Sequence, residues 1–290
     1  MKAELLIHSQ CFLGEGPFWY AEKKLCLWVD IENCRLFAYD WVNAAVRSWS
    51  FDHNPSLIVE DLSGHLLLGM SEGIARFNLE NGQPDWVVAL ESEQKDRRTN
   101  DGACDSEGRL WVGTMHLNCL EGQGSLYCID QDRVPVRRLE KNSIPNGLVW
   151  SKDNSRMYYI DSPKQSVQSF LFDPKSGSIQ YEKDIIQIPR DMGAPDGMAI
   201  DREGLLWIAH WGGSGVYRWD PSNGKCIDKI EVAAPHVTSC AFVGEDLDHL
   251  FITSARQELT KDQLDQFPAS GDCFLVKPGV RGLPVHACRI

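Results

Sequence analysis

One strand pattern recurs along this chain, and its spacing limits the fold more than any single motif does. Segments 25–30, 65–69, 109–113, 156–161, 205–209 and 249–253 are short apolar runs centred on Trp28, Leu67, Trp111, Tyr158, Trp207 and Phe251. The successive differences in residue number are 39, 44, 47, 49 and 44. Each run is followed by a second strand-like segment of mixed apolar and polar residues, such as 35–40, 73–77, 124–130, 167–173 and 215–220. These segments are rich in aromatic and β-branched side chains at roughly alternating positions, the signature of strands. Glu80-Asn81-Gly82, Asp173-Pro174-Lys175-Ser176-Gly177 and Asp220-Pro221-Ser222-Asn223-Gly224 supply hairpin chemistry between them. A period of roughly 40 to 50 residues suits four-stranded blades, whereas solenoid coils are usually about half as long. The expected fold is therefore all-β, a six-bladed β-propeller forming one domain over residues 1–290. In such a ring one terminus completes a blade begun by the other, so 5–8 is expected beside 273–276. A short helix is expected over 260–267.

Composition removes several function classes. The formal net charge of -12 opposes a nucleic-acid partner, which needs clustered Lys and Arg. No run of about 18 apolar residues is present, so no membrane span is expected. The first ten residues lack the apolar core of a signal peptide. The ten cysteines contain no C-x-x-C pair, and most lie in apolar runs, which reads as buried reduced thiols in a cytoplasmic protein. Neither a Gly-x-Ser-x-Gly elbow nor a phosphate-cradling glycine loop occurs.

Four short polar motifs stand in register ahead of the aromatic runs: Gly14-Glu15-Gly16-Pro17, Asn100-Asp101-Gly102, Pro145-Asn146-Gly147 and Pro195-Asp196-Gly197. From Glu15, Asn100, Asn146 and Asp196 to Trp28, Trp111, Tyr158 and Trp207 the distances are 13, 11, 12 and 11 residues. Asn-Gly and Asp-Gly alone read as tight turns. Repeated at one phase of a propeller, they bring oxygen-bearing side chains from separate blades to the channel axis. Asn54 and Ser239 hold the same phase in the remaining two copies and are expected to line the channel. Two carboxylates and amide oxygens in such a ring can hold one hard divalent cation. Asp101 is either the first residue of a turn or a residue steering Asn100. Trp211, beside Gly212-Gly213, is either an apolar wall for a sugar ring or packing between blades.

Together with Arg98-Thr99 and Gly113-Thr114-Met115, these motifs resemble the SMP-30/gluconolactonase/luciferin-regenerating-enzyme family over essentially the whole chain. Segments 108–116 and 210–213 look most like its bacterial sugar lactonase branch. The resemblance implies a six-bladed propeller that hydrolyses a small-molecule sugar lactone with one divalent cation: Ca2+ first, with Zn2+, Mg2+, Mn2+ or Fe2+ as alternatives. It implies Glu15, Asn146 and Asp196 as metal ligands, Asp196 also as proton acceptor and donor, and Arg98 and Asn100 as substrate contacts. The better-known animal members carry acidic residues directly after the segment matching 113–115, where this chain has His116-Leu117-Asn118, and Glu121 is the nearest substitute substrate contact. A metal-dependent esterase or phosphotriesterase, and a non-catalytic calcium-binding propeller, are the alternatives.

Overall fold

The computed structural model describes residues 1–290. Four groups of four antiparallel strands follow one another along the chain. They open with Gly14–Tyr20, Leu57–Glu60, Arg97–Cys104 and Pro145–Trp150. The remaining eight strands form one sheet joined across its middle by a single residue pair, Trp211 with His236. On one side lie Ala194–Ile200, Leu206–Trp211, Gly215–Asp220 and Lys225–Glu231; on the other lie His236–Val243, His249–Ala255, Cys273–Val276 and the N-terminal Glu4–Ile7. The first strands pack side by side in chain order, and His236–Val243 returns to Gly14–Tyr20, closing a ring. The arrangement is all-β and propeller-like.

The termini meet as the repeat spacing predicts. Glu4 pairs with Leu275 and Leu5 with Phe274, antiparallel. The short helix forms at Lys261–Gln266, where the Thr260 side chain accepts from the Gln263 amide and Gln263 reciprocates.

Burial explains the order of strands within each group. Every residue of Leu25–Asp30 and Leu66–Met70 is buried, because a second strand is covered on both faces by neighbouring groups. Such strands read as continuous apolar runs rather than alternating ones. Trp28, Trp111 and Trp207 are among the largest fully buried side chains. The outer strand Val46–Ser50 is almost wholly exposed and correspondingly polar. Cysteines 11, 26, 104, 128, 240, 273 and 288 are buried, whereas Cys119 and Cys226 are exposed.

A repeated aspartate shapes the hairpin between first and second strands. Asp61, Asp105 and Asp201 are buried, and each precedes a glycine of positive φ by three residues, at Gly64, Gly108 and Gly204. Asp201 Oδ1 accepts from the amides of Glu203 and Leu205 at 2.9 and 3.0 Å. Its Oδ2 accepts from Trp207 Nε1 at 2.9 Å and from Arg218 Nε at 2.9 Å. Asp105 repeats the scheme with the amides of Glu107 and Arg109 and with Trp111 Nε1. One carboxylate thus fixes the turn, the buried Trp and an Arg together. Asp201→Ala should leave the Trp207 N–H and two turn amides without their acceptor and Arg218 held by the exposed Glu203 alone, and cost about 2–3 kcal/mol of unfolding free energy, read by urea denaturation; a loss below about 1 kcal/mol contradicts this role.

Candidate functional site

At the opposite end of the first strands the four polar motifs do not make hairpin turns. Each lies inside a first strand as a break in register against the second strand. The shifts fall between Glu15 and Phe18, Thr99 and Gly102, Asn146 and Leu148, and Pro195 and Met198. A bulge of this kind re-aims a side chain out of the regular alternation. The turn reading of Asn-Gly and Asp-Gly is thereby corrected, and the role of the glycine changes with it. A Cβ on Gly197 would lie 2.0 Å from Ser239 Oγ, and one on Gly147 would lie 2.9 Å from the Asp196 carbonyl oxygen. Glycine is required because adjacent first strands touch there. The same contact places Asn146 next to Asp196.

Two aspartates at the ends of second strands hold the chain entering the bulges. Asp30 accepts from the amides of Phe12 and Leu13 at 2.8 and 3.1 Å, just before Gly14-Glu15. Asp161 accepts from those of Ser143 and Ile144 at 3.0 and 2.8 Å, just before Pro145-Asn146.

The ring gathers three carboxylates from separate groups. Burial raises Glu15 to about 8, with the nearby Asp101 adding to the rise and the Gly16 N–H and Arg98 opposing it. Asp196 is pushed well above the usual carboxylate range, by burial first and then by Glu15 and Asp101; the Asn146 amide and the Gly197 N–H pull the other way. Burial also raises Asp101 to about 6, and its Oδ1 accepts from the Gly102 amide at 2.7 Å. Asp101 is thus a third charge of the cluster. No ion pair reaches Glu15, Asp101 or Asp196, although ion pairs are frequent elsewhere in the protein.

Arg98 is the nearest cation, and it is buried. Its Nη1 donates to the Thr99 carbonyl at 3.0 Å and to Asn100 Oδ1 at 2.6 Å, while Asn100 Nδ2 donates to the Pro145 carbonyl at 2.6 Å. Asn100 therefore ties Arg98 to the strand that carries Asn146. Asn146 Nδ2 donates to Ser162 Oγ at 2.9 Å, which leaves its Oδ1 without a protein donor. Glu121 is exposed in the 117–123 loop and makes no hydrogen bond or ion pair to this cluster. Asn54 departs from expectation. It sits in a loop with Nδ2 on the Ile31 carbonyl and Oδ1 on Ser71 Oγ. At that point of the ring the second group instead presents Ser56, bonded to Thr99 Oγ1 at 2.8 Å. Ser239 is buried against Gly197. Trp211 is half-buried and stacks on His236 at 4.1 Å.

The donor set fits a hard divalent cation. No group of three or more His, Cys, Asp or Glu side chains anywhere in the protein has metal-holding spacing; the oxygens on offer here are the Glu15 and Asp196 carboxylates and the Asn146 amide. A buried and a half-buried carboxylate with no ion-pair partner, and an amide oxygen with no donor, are what such an ion would satisfy.

The raised values mean that folding holds these protons more tightly than the unfolded chain does. Their contribution to stability is full below the ordinary carboxylate range and is lost as pH rises through about 8, the folded value of Glu15. Chelated protein should therefore lose Tm between pH 6 and 9, and added Ca2+ should raise Tm more at pH 9 than at pH 6. Differential scanning calorimetry with EDTA and with Ca2+ checks this; a Ca2+ shift that shrinks with rising pH contradicts it.

A family model described as SMP-30/gluconolactonase/LRE-like region matches residues 13–256. YvrE of Bacillus subtilis (strain 168), whose name proposes a sugar lactone lactonase, is 34% identical over 274 residues, 94% of each chain. A crystal structure of regucalcin from Agrobacterium tumefaciens, described as a calcium-binding protein, superposes with a TM-score of 0.95 at 26% identity, covering 100% of this chain and 98% of that one. A luciferin-regenerating enzyme superposes with a TM-score of 0.91 at 28% identity, covering 99% of each.

Proposed function

The chain belongs to the SMP-30/gluconolactonase/LRE-like family, and from that premise we propose that it is a cytoplasmic, metal-dependent lactonase that opens a sugar lactone to its aldonic acid. In this reading residues 1–290 form a single six-bladed β-propeller whose axis carries the site. The observation that carries the proposal is the gathering of Glu15, Asn146 and Asp196 on the bulges of three first strands, with a buried and a half-buried carboxylate that have no ion-pair partner. These three side chains hold one divalent cation, Ca2+ by preference, in keeping with the calcium-binding relative from Agrobacterium tumefaciens. When bound, such an ion polarises a lactone carbonyl and acidifies water.

The remaining work falls to this chain's own groups. Asp196 accepts a proton from the water that attacks the carbonyl carbon. As the ring C–O bond breaks, it returns that proton to the departing ring oxygen, so the carboxylate ends as it began. A carboxylate whose surroundings raise its proton affinity suits that exchange near neutral pH. Arg98, held in place by Asn100, donates its remaining N–H groups to substrate hydroxyls. Glu121 on the 117–123 loop lies outside the cluster and serves at the rim.

Hydrolysis of five- and six-carbon aldonolactones followed by pH-stat tests the reading. Chelation should abolish turnover and metal add-back should restore it. Asp196→Ala or Glu15→Ala should cut kcat/KM by at least about a thousandfold, in the range set by removing charge stabilisation or the base, while Tm falls little. Unchanged rates in both variants, or faster turnover of aryl esters and phosphotriesters than of lactones, would overturn it.

A further inference from the structure

Three cations in this acidic protein, Arg97, Arg137 and Lys141, line one cavity and take part in no ion pair. The cavity holds about 180 Å³ and lies on the third group, beside the 90–96 segment that leads into it. Glu91, Glu140, Gln94 and Gln123 complete its charged and amide lining, and no lining side chain is apolar. Arg97 and Arg98 are consecutive in a strand and so point to opposite faces: Arg98 belongs to the axial cluster, Arg97 to this groove.

The polar groups around the void are only partly satisfied. Arg97 Nη2 donates to Gln123 Oε1 at 2.9 Å, whereas its Nε is shielded from solvent and has no acceptor. Arg137 donates from Nε and Nη2 to the Tyr127 hydroxyl at 3.1 and 3.0 Å. That hydroxyl donates in turn to Glu91 Oε1 at 2.8 Å, and Glu91 Oε2, likewise shielded, has no donor. Buried polar groups are normally paired, so these orphaned atoms mark a position that a polar ligand would complete.

We propose that this groove binds a small hydroxylated oxyanion. In a chain of net charge -12, cations without ion pairs around a polar void create a local attraction for anions. Guanidinium groups match the oxygens of carboxylate or phosphate. The orphaned Glu91 oxygen accepts from a hydroxyl, which favours a hydroxy acid or a sugar phosphate over a bare inorganic ion. The cavity is smaller than the ~300 Å³ at which cofactor-sized pockets begin, so a nucleotide does not fit. The site is separate from the carboxylate cluster at the axis and stands independently of any activity there.

Isothermal titration of the intact, chelated protein with D-gluconate, D-glucose 6-phosphate and neutral D-sorbitol tests the proposal. At least one of the two anions should bind, sorbitol should not, and whichever anion binds more tightly identifies the acid or the phosphate ester as the source. Arg137→Ala with Lys141→Ala should weaken that binding at least tenfold; if the pair disturbs folding, the exposed Lys141→Glu alone should weaken it several-fold. Glu15→Ala should leave it unchanged, which separates it from binding at the axis. Absence of anion binding, binding of sorbitol as tight as that of the anions, or equal affinity in wild type and the Lys141 variant would overturn the proposal.

Discussion

Neighbouring first strands approach one another closely at the ring, and most of the site follows from that contact. Gly147 lies against the backbone of Asp196, and Gly197 lies against Ser239, at distances that admit no side chain. Strands this close cannot keep a regular ladder with their own second strands and also direct polar side chains inward. The bulges resolve that conflict, and the shift in register turns Glu15, Asn146 and Asp196 toward one another. Removing these carboxylates from water raises their affinity for protons, and for Glu15 and Asp196 the neighbouring carboxylates add to the rise. With Arg98 turned to Asn100 and backbone oxygen, that concentration of carboxylates is the ground on which a cation is proposed there.

The two ends of the ring are built differently. At the hairpin end, the buried aspartates Asp61, Asp105 and Asp201 are saturated by amides, Trp N–H groups and Arg side chains. The C-terminal residues run across that end: Leu283 N–H bonds to Ile200, Cys288 N–H to Glu60 and Arg289 N–H to Gly108. The Arg289 guanidinium then grips Asp130 with two hydrogen bonds at 2.6 and 2.8 Å. At the bulge end, the carboxylates of Glu15 and Asp196 accept from amides but meet no Trp N–H and no ion pair. Local rules of charge pairing hold at one end and fail at the other, a division expected where a site departs from the rest of the fold.

The repeat was fully legible in the sequence because a second strand buried on both faces must be apolar throughout, so Trp28, Trp111 and Trp207 announce their positions. The meeting of 5–8 with 273–276 followed from the same period. The motif residues were legible too, but their geometry was not. Asn146-Gly147 and Asp196-Gly197 carry the same letters as a hairpin turn, and only the neighbouring strand, distant in sequence, shows that the glycine is there for contact. Asp101 hid for a related reason, since an Asp before Gly has a local explanation and its pull on Glu15 and Asp196 is a tertiary effect. Asn54 matched the phase by count, yet the second group has no bulge and its loop turns that side chain away to Ile31. The aspartate three residues before Gly64, Gly108 and Gly204 was a readable repeat whose meaning emerges from its partners. The groove of Arg97, Arg137 and Lys141 left no sequence signal, because it joins the first and fourth strands of one group, about 40 residues apart in the chain.

The central claim is that Glu15, Asn146 and Asp196 together hold one cation. Equilibrium dialysis of the chelated protein against Ca2+ tests it most directly. One ion should bind per chain in the wild type, with affinity reduced at least tenfold by Asn146→Ala, a substitution that removes the amide oxygen and leaves every charge of the cluster in place. Undiminished binding in that variant, or no binding in the wild type to Ca2+ or to any of Zn2+, Mg2+ and Mn2+, would contradict it.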